Sequence, residues 1–183
     1  MVNTYFFIVL NLKNNLMMIK IIPLLVTLVF TLTTSAQKNT QAYNVKTNSL
    51  KVKKVIETFF EGLHKGDSII VSTTLHRDIK IQTTATNKLG ENILTTDTKE
   101  KLLTSVANKK PEHIYYEKLL SFDIKIDGNL ASVWTPYEFY LNGNFSHCGA
   151  NSFQLFNNNG KWEIIFLVDM RRRDNCNALK EKK

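Results

Sequence analysis

Runs of apolar residues divide the chain between Leu130 and Arg173 into segments of strand length. Asn142-Gly143 and Asn159-Gly160 separate these runs, and Asn-Gly favours a two-residue hairpin turn because both positions tolerate positive φ. The last run, 162–168, is apolar at almost every position, which indicates a central strand covered on both faces. The pattern therefore predicts three antiparallel strands joined in sequence order.

A different periodicity marks a helix upstream of these strands. Its apolar residues follow the i, i+3, i+4, i+7 spacing of one stripe: Val52, Val55, Ile56, Phe59, Phe60 and Leu63. Asn48 or Ser49 is a suitable N-cap, and Gly66 is expected to end the helix. Such a stripe needs an apolar surface to pack on, and the sheet is the natural partner.

Weaker patterns predict the elements between this helix and the last three strands. Asp67 is expected to cap a short helix, and Asp97 with Glu100 is expected to begin a third one. A hairpin over 78–96 lies between these two helices, and one long strand is predicted over 115–126. The Asp127-Gly128 turn that follows could hold two or three residues, and its length decides which face Phe122 and Ile124 occupy. The fold class is therefore α+β, with three helices on the concave face of a strongly curved antiparallel sheet.

The N-terminal segment 1–36 has the layout of a secretory signal peptide. Lys20 is its positive end, 21–32 its apolar core and Thr34-Ser35-Ala36 a small-residue cleavage site. The core is shorter than the ~20 residues that span a bilayer, although a retained membrane anchor is the alternative. The natural start could be Met17 or Met18. We therefore predict a periplasmic or secreted protein that meets a membrane only during export.

The remaining organisation is simple. A flexible lead-in is expected over 37–47, a single domain over 48–177 and a basic tail over 178–183. The formal net charge of +8 comes from scattered basic residues and not from one stripe, so no nucleic-acid partner is expected. No two of the four histidines have metal-ligand spacing, and neither a metal nor another cofactor is predicted.

The two cysteines, Cys148 and Cys176, would meet oxidising conditions after export. If the last strand continued straight, Cys176 would lie ~16 Å along it from the residue opposite Cys148. That distance exceeds the ~7 Å between Cα atoms that a disulfide allows. The strand pattern therefore disfavours a bridge without deciding the question.

Several segments resemble the nuclear transport factor 2-like superfamily, which includes ketosteroid isomerase, scytalone dehydratase and SnoaL-like polyketide cyclases. They are 59–64 (FFEGLH) with Gly66-Asp67, 134–140 (WTPYEFY), 146–149 (SHCG), 162–165 (WEII) and 169–172 (DMRR). The resemblance is to the exported bacterial branch often described as lumazine-binding. It implies a cone-shaped domain, a pocket inside the cone and a homodimer. The isomerase's catalytic Tyr and Asp pair has no matching motif in this chain.

Turn geometry predicts which side chains share a face. A two-residue turn at Asn142-Gly143 pairs four sets of residues across the hairpin: Tyr140 with Phe145, Glu138 with His147, Tyr137 with Cys148 and Trp134 with Asn151. Pro136 could mark a bulge that changes the pairing beyond it. The same parity places Met170 and Arg172 with His147 under the first helix. It places Leu167 and Asp169 with Cys148 and Ser152 on the opposite face, where a dimer contact is expected.

A candidate site follows from these pairings. Glu138 and His147 are its candidate catalytic pair, and the expected ligand contacts are Trp134, Tyr140, His147, Asn151, Met170 and Arg172. A carboxylate beside the imidazole would raise the pKa of His147 above its usual value of about 6.5. The alternative is that the pair is only a salt bridge closing the open end of the cone.

Three functions remain open at this level. The first is an exported protein that binds a small amphipathic molecule, and the second is a proton-transfer enzyme such as an isomerase, dehydratase or cyclase. The third is a structural or interaction dimer with a filled core. A cavity of ~300 Å³ or more between the first helix and the sheet would favour the first two.

Overall fold

The computed structural model describes residues 45–176. Nearly all of these residues belong to one compact unit that begins at Thr47. The predicted signal peptide, most of the lead-in and the basic tail lie outside the described residues. Of the described helices, none is long and apolar enough to cross a membrane.

Three helices and seven strands make up the described region. The helices are α1 over 45–65, α2 over Ser68–Thr74 and α3 over Lys99–Ala107. The strands are β1 (Leu75–Thr86), β2 (Asn92–Asp97), β3 (Tyr115–Leu119), β4 (Asp123–Asp127), β5 (Leu130–Leu141), β6 (Asn144–Asn158) and β7 (Lys161–Arg172). The predicted order of helices and strands is confirmed, except that two strands replace the one predicted over 115–126.

Local sequence explains where the helices begin and end. Gly66 ends α1 in the left-handed region, with φ +72°. The carboxylate of Asp67 accepts hydrogen bonds from the backbone N–H groups of Ile69 and Ile70 and so caps α2. The cap of α3 is Thr98 and not Asp97, because the Thr98 hydroxyl accepts from the N–H of Lys101 while Asp97 still belongs to β2.

The sheet has the strand order β2-β1-β7-β6-β5-β3, and β4 also pairs with β5. The strand pair β1–β7 is parallel and the other pairs are antiparallel, so the curved sheet is mixed and not purely antiparallel as predicted. The predicted strand over 115–126 is two strands, since the chain leaves the ladder between Leu119 and Asp123. Asp127 pairs with Leu130, and with this turn Phe122 and Ile124 pack against the core.

Two one-residue bulges set the faces of the central strands. Between β5 and β6, Tyr140 pairs with Phe145 but Phe139 pairs with His147, so Ser146 is the extra residue. Between β6 and β7, Ile165 is the extra residue in the same way. A slip of one residue sends every later side chain to the other face.

The hairpin pairings are corrected accordingly. The pairing of Tyr140 with Phe145 is confirmed, and the other three predicted pairings are wrong. Glu138 pairs with Cys148, Tyr137 with Gly149 and Trp134 with Ser152. The shift lies at Phe139 and not at Pro136, where the sequence suggested it.

The apolar stripe of α1 packs on the concave face of the sheet as predicted. Val52 and Ile56 are fully buried, and the rings of Phe59 and Phe60 meet Phe153 of β6 edge-on at 6.1 and 6.2 Å between centroids. Edge-to-face contacts of this kind add to the stabilisation that comes from burying the ring surface. The core therefore lies between α1 and the middle of the sheet.

Cys148 and Cys176 form a disulfide, with 5.9 Å between their Cα atoms. The expectation from a straight strand was wrong because β7 ends at Arg172, the partner of Cys148, and the chain then bends back. Asn175 has φ 50°, the left-handed conformation that Asn tolerates better than most residues. The bridge thus ties the segment after β7 to the convex face of β6.

Candidate functional site

A cavity of about 430 Å³ lies between α1, α3 and the concave face of the sheet. This volume is within the range of small-molecule sites, which is about 300–1,000 Å³. Its apolar walls are formed by Phe59, Phe60, Leu63, Ile81, Leu102, Tyr115, Phe139, Leu141 and Leu167. Its polar groups come mainly from the inner faces of β3, β6 and β7.

Glu117 and Asn151 form one part of this polar lining. The amide nitrogen of Asn151 donates to Oε1 of Glu117 across 2.8 Å. Within the described region, Oε2 of Glu117 has no hydrogen-bond partner, although the residue lines the cavity. One oxygen of this carboxyl group is therefore available to a bound molecule.

Asp169 and Arg171 form the second part of the polar lining, and the buried Tyr137 supports them without lining the cavity. The Tyr137 hydroxyl donates to Oδ1 of Asp169 across 2.8 Å, and Nε of Arg171 donates to the other oxygen. Gly149 allows this arrangement, because a Cβ there would lie 1.7 Å from the Met170 carbonyl oxygen and 2.8 Å from the Tyr137 hydroxyl. The charges of Asp169 and Arg171 nearly cancel. The protonation state of Glu117 therefore decides the net charge of this part of the cavity.

Burial shifts the protonation of this lining. Removal from water, with a smaller contribution from the charge of Asp169, raises the pKa of Glu117 to about 8 against the opposing hydrogen bond from Asn151. The pKa of Tyr137 is also raised, by burial first and then by Asp169. At neutral pH the cavity therefore holds an uncharged carboxylic acid beside an ion pair.

The expectation for His147 is corrected in both position and sign. Its ring stacks on Phe139 with 4.7 Å between centroids, on the concave face. Burial lowers the pKa of His147, and the charge of Arg171 lowers it further. The carboxylate expected beside it, Glu138, pairs with Cys148 and points to the convex face.

The structure divides the predicted site residues between the two faces. His147 and Asn151 line the cavity as predicted. Trp134, Glu138 and Tyr140 lie on the convex face, because the bulge at Ser146 reverses their parity relative to His147. Met170 and Arg172 lie there too, because the bulge at Ile165 reverses the outer half of β7.

Glu138 has its own setting on the convex face. It is buried, it accepts a hydrogen bond from the Tyr140 hydroxyl at 3.0 Å, and its Oε2 lies 3.7 Å from Nζ of Lys118. This environment explains a buried carboxylate without any ligand. Glu138 and His147 are therefore not a cross-strand pair, and the proton-relay hypothesis built on that pairing is wrong.

Sequence reasoning missed Glu117, Asp169 and Arg171. The sequence pattern placed Asp169 on the opposite face, and Arg171 shares its parity; the extra residue in β7 turns both toward the cavity. Glu117 was part of a strand whose parity depended on an undecided turn. One feature of the sequence could have identified it. Glu117 alternates with the polar or exposed positions of β3 in the same way as Tyr115 and Leu119, which face inward.

A wider depression of about 600 Å³ lies at the outer end of β1, β2 and β7. Met170 and Arg172 line it together with Thr84 and Leu94. Leu94 is exposed, and this depression lacks the enclosing helices of the concave cavity. We regard the concave cavity as the candidate site, because α1 and α3 enclose it and because burial shifts the pKa values of His64, Glu117 and His147 in its lining.

A metal site requires a group of ligating side chains arranged around one point. Over residues 45–176 there is no group of three or more His, Cys, Asp or Glu side chains placed to hold an ion.

Comparison with solved structures identifies the fold. Similar chains include a nuclear transport factor 2-like protein of unknown function from Shewanella baltica, with 17% identity, a TM-score of 0.52 and coverage of 70% of this chain and 96% of that one. The beta subunit of a candidate aromatic-ring-hydroxylating dioxygenase from Novosphingobium aromaticivorans has 14% identity, a TM-score of 0.57 and coverage of 69% and 90%. A candidate dehydratase from the nuclear transport factor 2-like family of Streptomyces avermitilis has 12% identity and a TM-score of 0.52, with coverage of 69% of this chain and 97% of that one.

The chain therefore has the nuclear transport factor 2-like fold, as its sequence segments suggested. No family model matches it, and no curated protein matches it. Identities this low establish the fold alone, since unrelated functions share this architecture.

Proposed function

We propose that this protein binds a small, partly apolar molecule in the concave cavity. The observation that supports this most is the unpaired oxygen of Glu117 in a cavity of about 430 Å³ whose other walls are largely aromatic and aliphatic. The apolar part of the ligand lies against Phe59, Phe60 and Phe139. Its polar end meets Glu117 and the nearby ion pair of Asp169 and Arg171.

The charge of the lining defines the kind of ligand. Because Glu117 is protonated at neutral pH, it donates a hydrogen bond and favours an uncharged acceptor such as a carbonyl oxygen. An anion would meet the same burial and the same charge of Asp169 that keep Glu117 uncharged. The ligand is therefore a neutral molecule with an acceptor at one end.

The test uses 2-acetylnaphthalene as a neutral probe and blocks the cavity with Ser105→Trp. Ser105 is an exposed residue of α3 at the cavity wall, so the indole can enter the cavity without disturbing the core. Titration calorimetry should show at least about a tenfold loss of probe affinity in this variant, a difference of about 1.4 kcal/mol.

Thr104→Trp is the matched control, because Thr104 is exposed on the same helix and does not line the cavity. It should bind the probe as the wild type does. Equal binding by Ser105→Trp and the wild type, or no binding by the wild type, would contradict the proposal.

A second candidate function is proton transfer within a bound molecule. The observation that favours it is a cavity carboxyl group whose pKa is raised to about 8. A group that titrates near neutral pH can both take and return a proton, which is the requirement for general acid–base catalysis. In this candidate Glu117 replaces the pair of Glu138 and His147 that the sequence suggested.

We also propose that the protein is a homodimer joined through the convex face of the sheet. Strand register places five apolar residues on this face, two on β5 and three on β7, with Ala150 and Ser152 of β6 between them: Trp134, Pro136, Phe166, Val168 and Met170. Leu167 and Asp169, which the sequence assigned to the contact, line the concave cavity instead. An apolar patch of this kind on a sheet surface is typical of an association site.

The dimer is tested with Trp134→Lys, since Trp134 is 51% exposed and its loss leaves the core intact. Light scattering should show a dimer for the wild type and a monomer for the variant, because a lysine ammonium resists burial in an apolar contact. Leu89→Lys, in an exposed loop away from this face, should remain dimeric. A wild type that is monomeric at high concentration would refute the proposed contact.

Export completes the proposal. The chain is processed at or near Gln37 and acts in the periplasm or outside the cell. The disulfide between Cys148 and Cys176 supports this location, because such bonds persist in oxidising compartments.

A further inference from the structure

One hydrogen bond joins the end of α1 to the edge of the sheet beside the cavity. The backbone N–H of Glu117 donates to Nε2 of His64 across 2.8 Å. β3 is an edge strand, paired with β5 on its inner side only. The imidazole therefore occupies the position that a further strand would take on the outer side of β3.

We propose that His64 positions Glu117 in the cavity by holding the outer edge of β3 against α1, and that the imidazole does so only in its uncharged form. This inference rests on the proposed ligand-binding function, because it assigns a regulatory residue to the same cavity. His64 and Glu117 both line that cavity and are in direct contact there. Loss of the contact would let the rim open.

The hydrogen bond between Glu117 and His64 requires an uncharged imidazole because of its direction. A backbone N–H can only donate, so Nε2 of His64 must accept and the ring hydrogen must lie on Nδ1. Adding a proton to Nε2 would place two donors against each other. The contact would then be replaced by repulsion, and the edge of β3 would be free of α1.

The surroundings of His64 favour the uncharged ring. Its ring lies 5.6 Å from that of Tyr116 and 6.3 Å from that of Phe60, measured between centroids. Burial lowers the pKa of His64. The pH range that matters therefore lies below the usual value of about 6.5.

The charged and titratable groups near this contact come from each neighbouring element. Glu61, Lys65 and Asp67 belong to α1 and to the cap that follows it, and Glu61 is paired with Lys65. Lys109 follows α3 and approaches the chain at Gly66. On the sheet, Glu117 is uncharged at neutral pH, and His147 is the other histidine of the cavity.

The test measures hydrogen exchange at the Glu117 amide by NMR, expressed as a protection factor at pH 7 and pH 5, in the wild type, His64→Gln and His64→Leu. Glutamine places an acceptor oxygen near the position of Nε2 and does not titrate, whereas leucine offers no acceptor. The wild type should lose about fivefold protection on acidification, as expected for one net hydrogen bond. His64→Gln should stay protected at both pH values, and His64→Leu should be unprotected at both.

His76→Gln is the matched control, because its Nδ1 also accepts a backbone N–H, from Asp78, at a place that does not line the cavity. It should leave the Glu117 amide unchanged. Affinity for 2-acetylnaphthalene should change in parallel with the protection factor of the Glu117 amide. It should fall about fivefold on acidification in the wild type and remain constant in His64→Gln.

The outcomes separate this inference from the function on which it rests. If His64→Gln loses protection on acidification as the wild type does, another group such as His147 is responsible and the inference is wrong. If His64→Leu protects the amide, the imidazole is not the tether and the inference is also wrong. If the amide responds as expected and no probe binds at any pH, the tether is supported and the ligand-binding function fails.

Discussion

Glu117→Gln is expected to be more stable than the wild type at neutral and alkaline pH and equally stable near pH 4, where the carboxyl group is protonated in both the folded and the unfolded states. Glutamine has nearly the shape of the protonated carboxyl group, so its oxygen still accepts from Asn151 and its NH₂ replaces the O–H donor. The two proteins therefore differ mainly in one ionisation. That ionisation is unfavourable in the folded wild type, because the carboxylate would be buried beside Asp169.

The direction in which the unfolding free energy changes with pH follows from proton linkage. The pKa of Glu117 is raised from 4.5 to about 8 on folding, so the folded state holds a proton that the unfolded state has lost between these values. Stability of the wild type should therefore fall with rising pH across this window, by about 1.4 kcal/mol per unit. The difference in unfolding free energy between Glu117→Gln and the wild type should reach about 4 kcal/mol by pH 8.

Urea denaturation at several pH values measures this difference directly. Comparing the two proteins at each pH cancels the other titrating groups, provided the slopes with urea are equal. Glu91→Gln, an exposed change in the β1–β2 turn, should show no pH-dependent difference. A flat difference for Glu117→Gln would mean that Glu117 is ionised in the folded protein, which would remove the basis for both the neutral-ligand and the proton-transfer proposals.

Cys176→Ser is expected to lower the free energy of unfolding by about 2–4 kcal/mol. The bond joins residues 28 positions apart, so it restricts the unfolded chain over the whole β6–β7 hairpin. Cys176 is the better residue to change, because Cys148 is fully buried and its replacement would disturb the sheet itself. The folded domain should survive, since the core between α1 and the sheet does not include the bond.

Treatment with a reductant is the control for this change. Reduction should lower the stability of the wild type to that of Cys176→Ser and leave the variant unaffected. Intact mass of the protein from its own host should show a chain beginning at or near Gln37 and lighter by two hydrogens. Equal stability of the variant and the oxidised wild type would show that the bond does not stabilise the fold, and a mature chain retaining Met17 and Met18 would refute the export proposal.

The two stability predictions concern different parts of the sheet, since Glu117 lies on β3 and Cys176 follows β7. β7 supplies Asp169 and Arg171 to the cavity and ends at Arg172, just before the segment that the disulfide holds. Near the same end of the sheet, the hydrogen bond from Tyr137 of β5 to Asp169 joins β5 to β7 across β6. The disulfide and this hydrogen bond therefore both hold the end of β7 that supplies polar groups to the cavity.

The sequence by itself determined the order of the elements and the fold class. The stripe of α1, the Asn-Gly turns and the cap at Asp67 are signals contained within a few residues, and each was confirmed. Local propensity and spacing are enough for these features, because they depend on neighbours along the chain. The resemblance of short segments was also enough to identify the superfamily's fold.

Only the tertiary structure decided which side chains share the cavity. Single extra residues at Ser146 and Ile165 reverse the faces of Glu138, Asp169 and Arg171 relative to His147, and nothing in their local sequence marks them. The same holds for the return of Cys176 to Cys148 and for the contact between His64 and Glu117, which are 53 positions apart. Side-chain direction in a strand alternates at every residue, so one irregularity in the ladder outweighs any amount of correct pattern on either side of it.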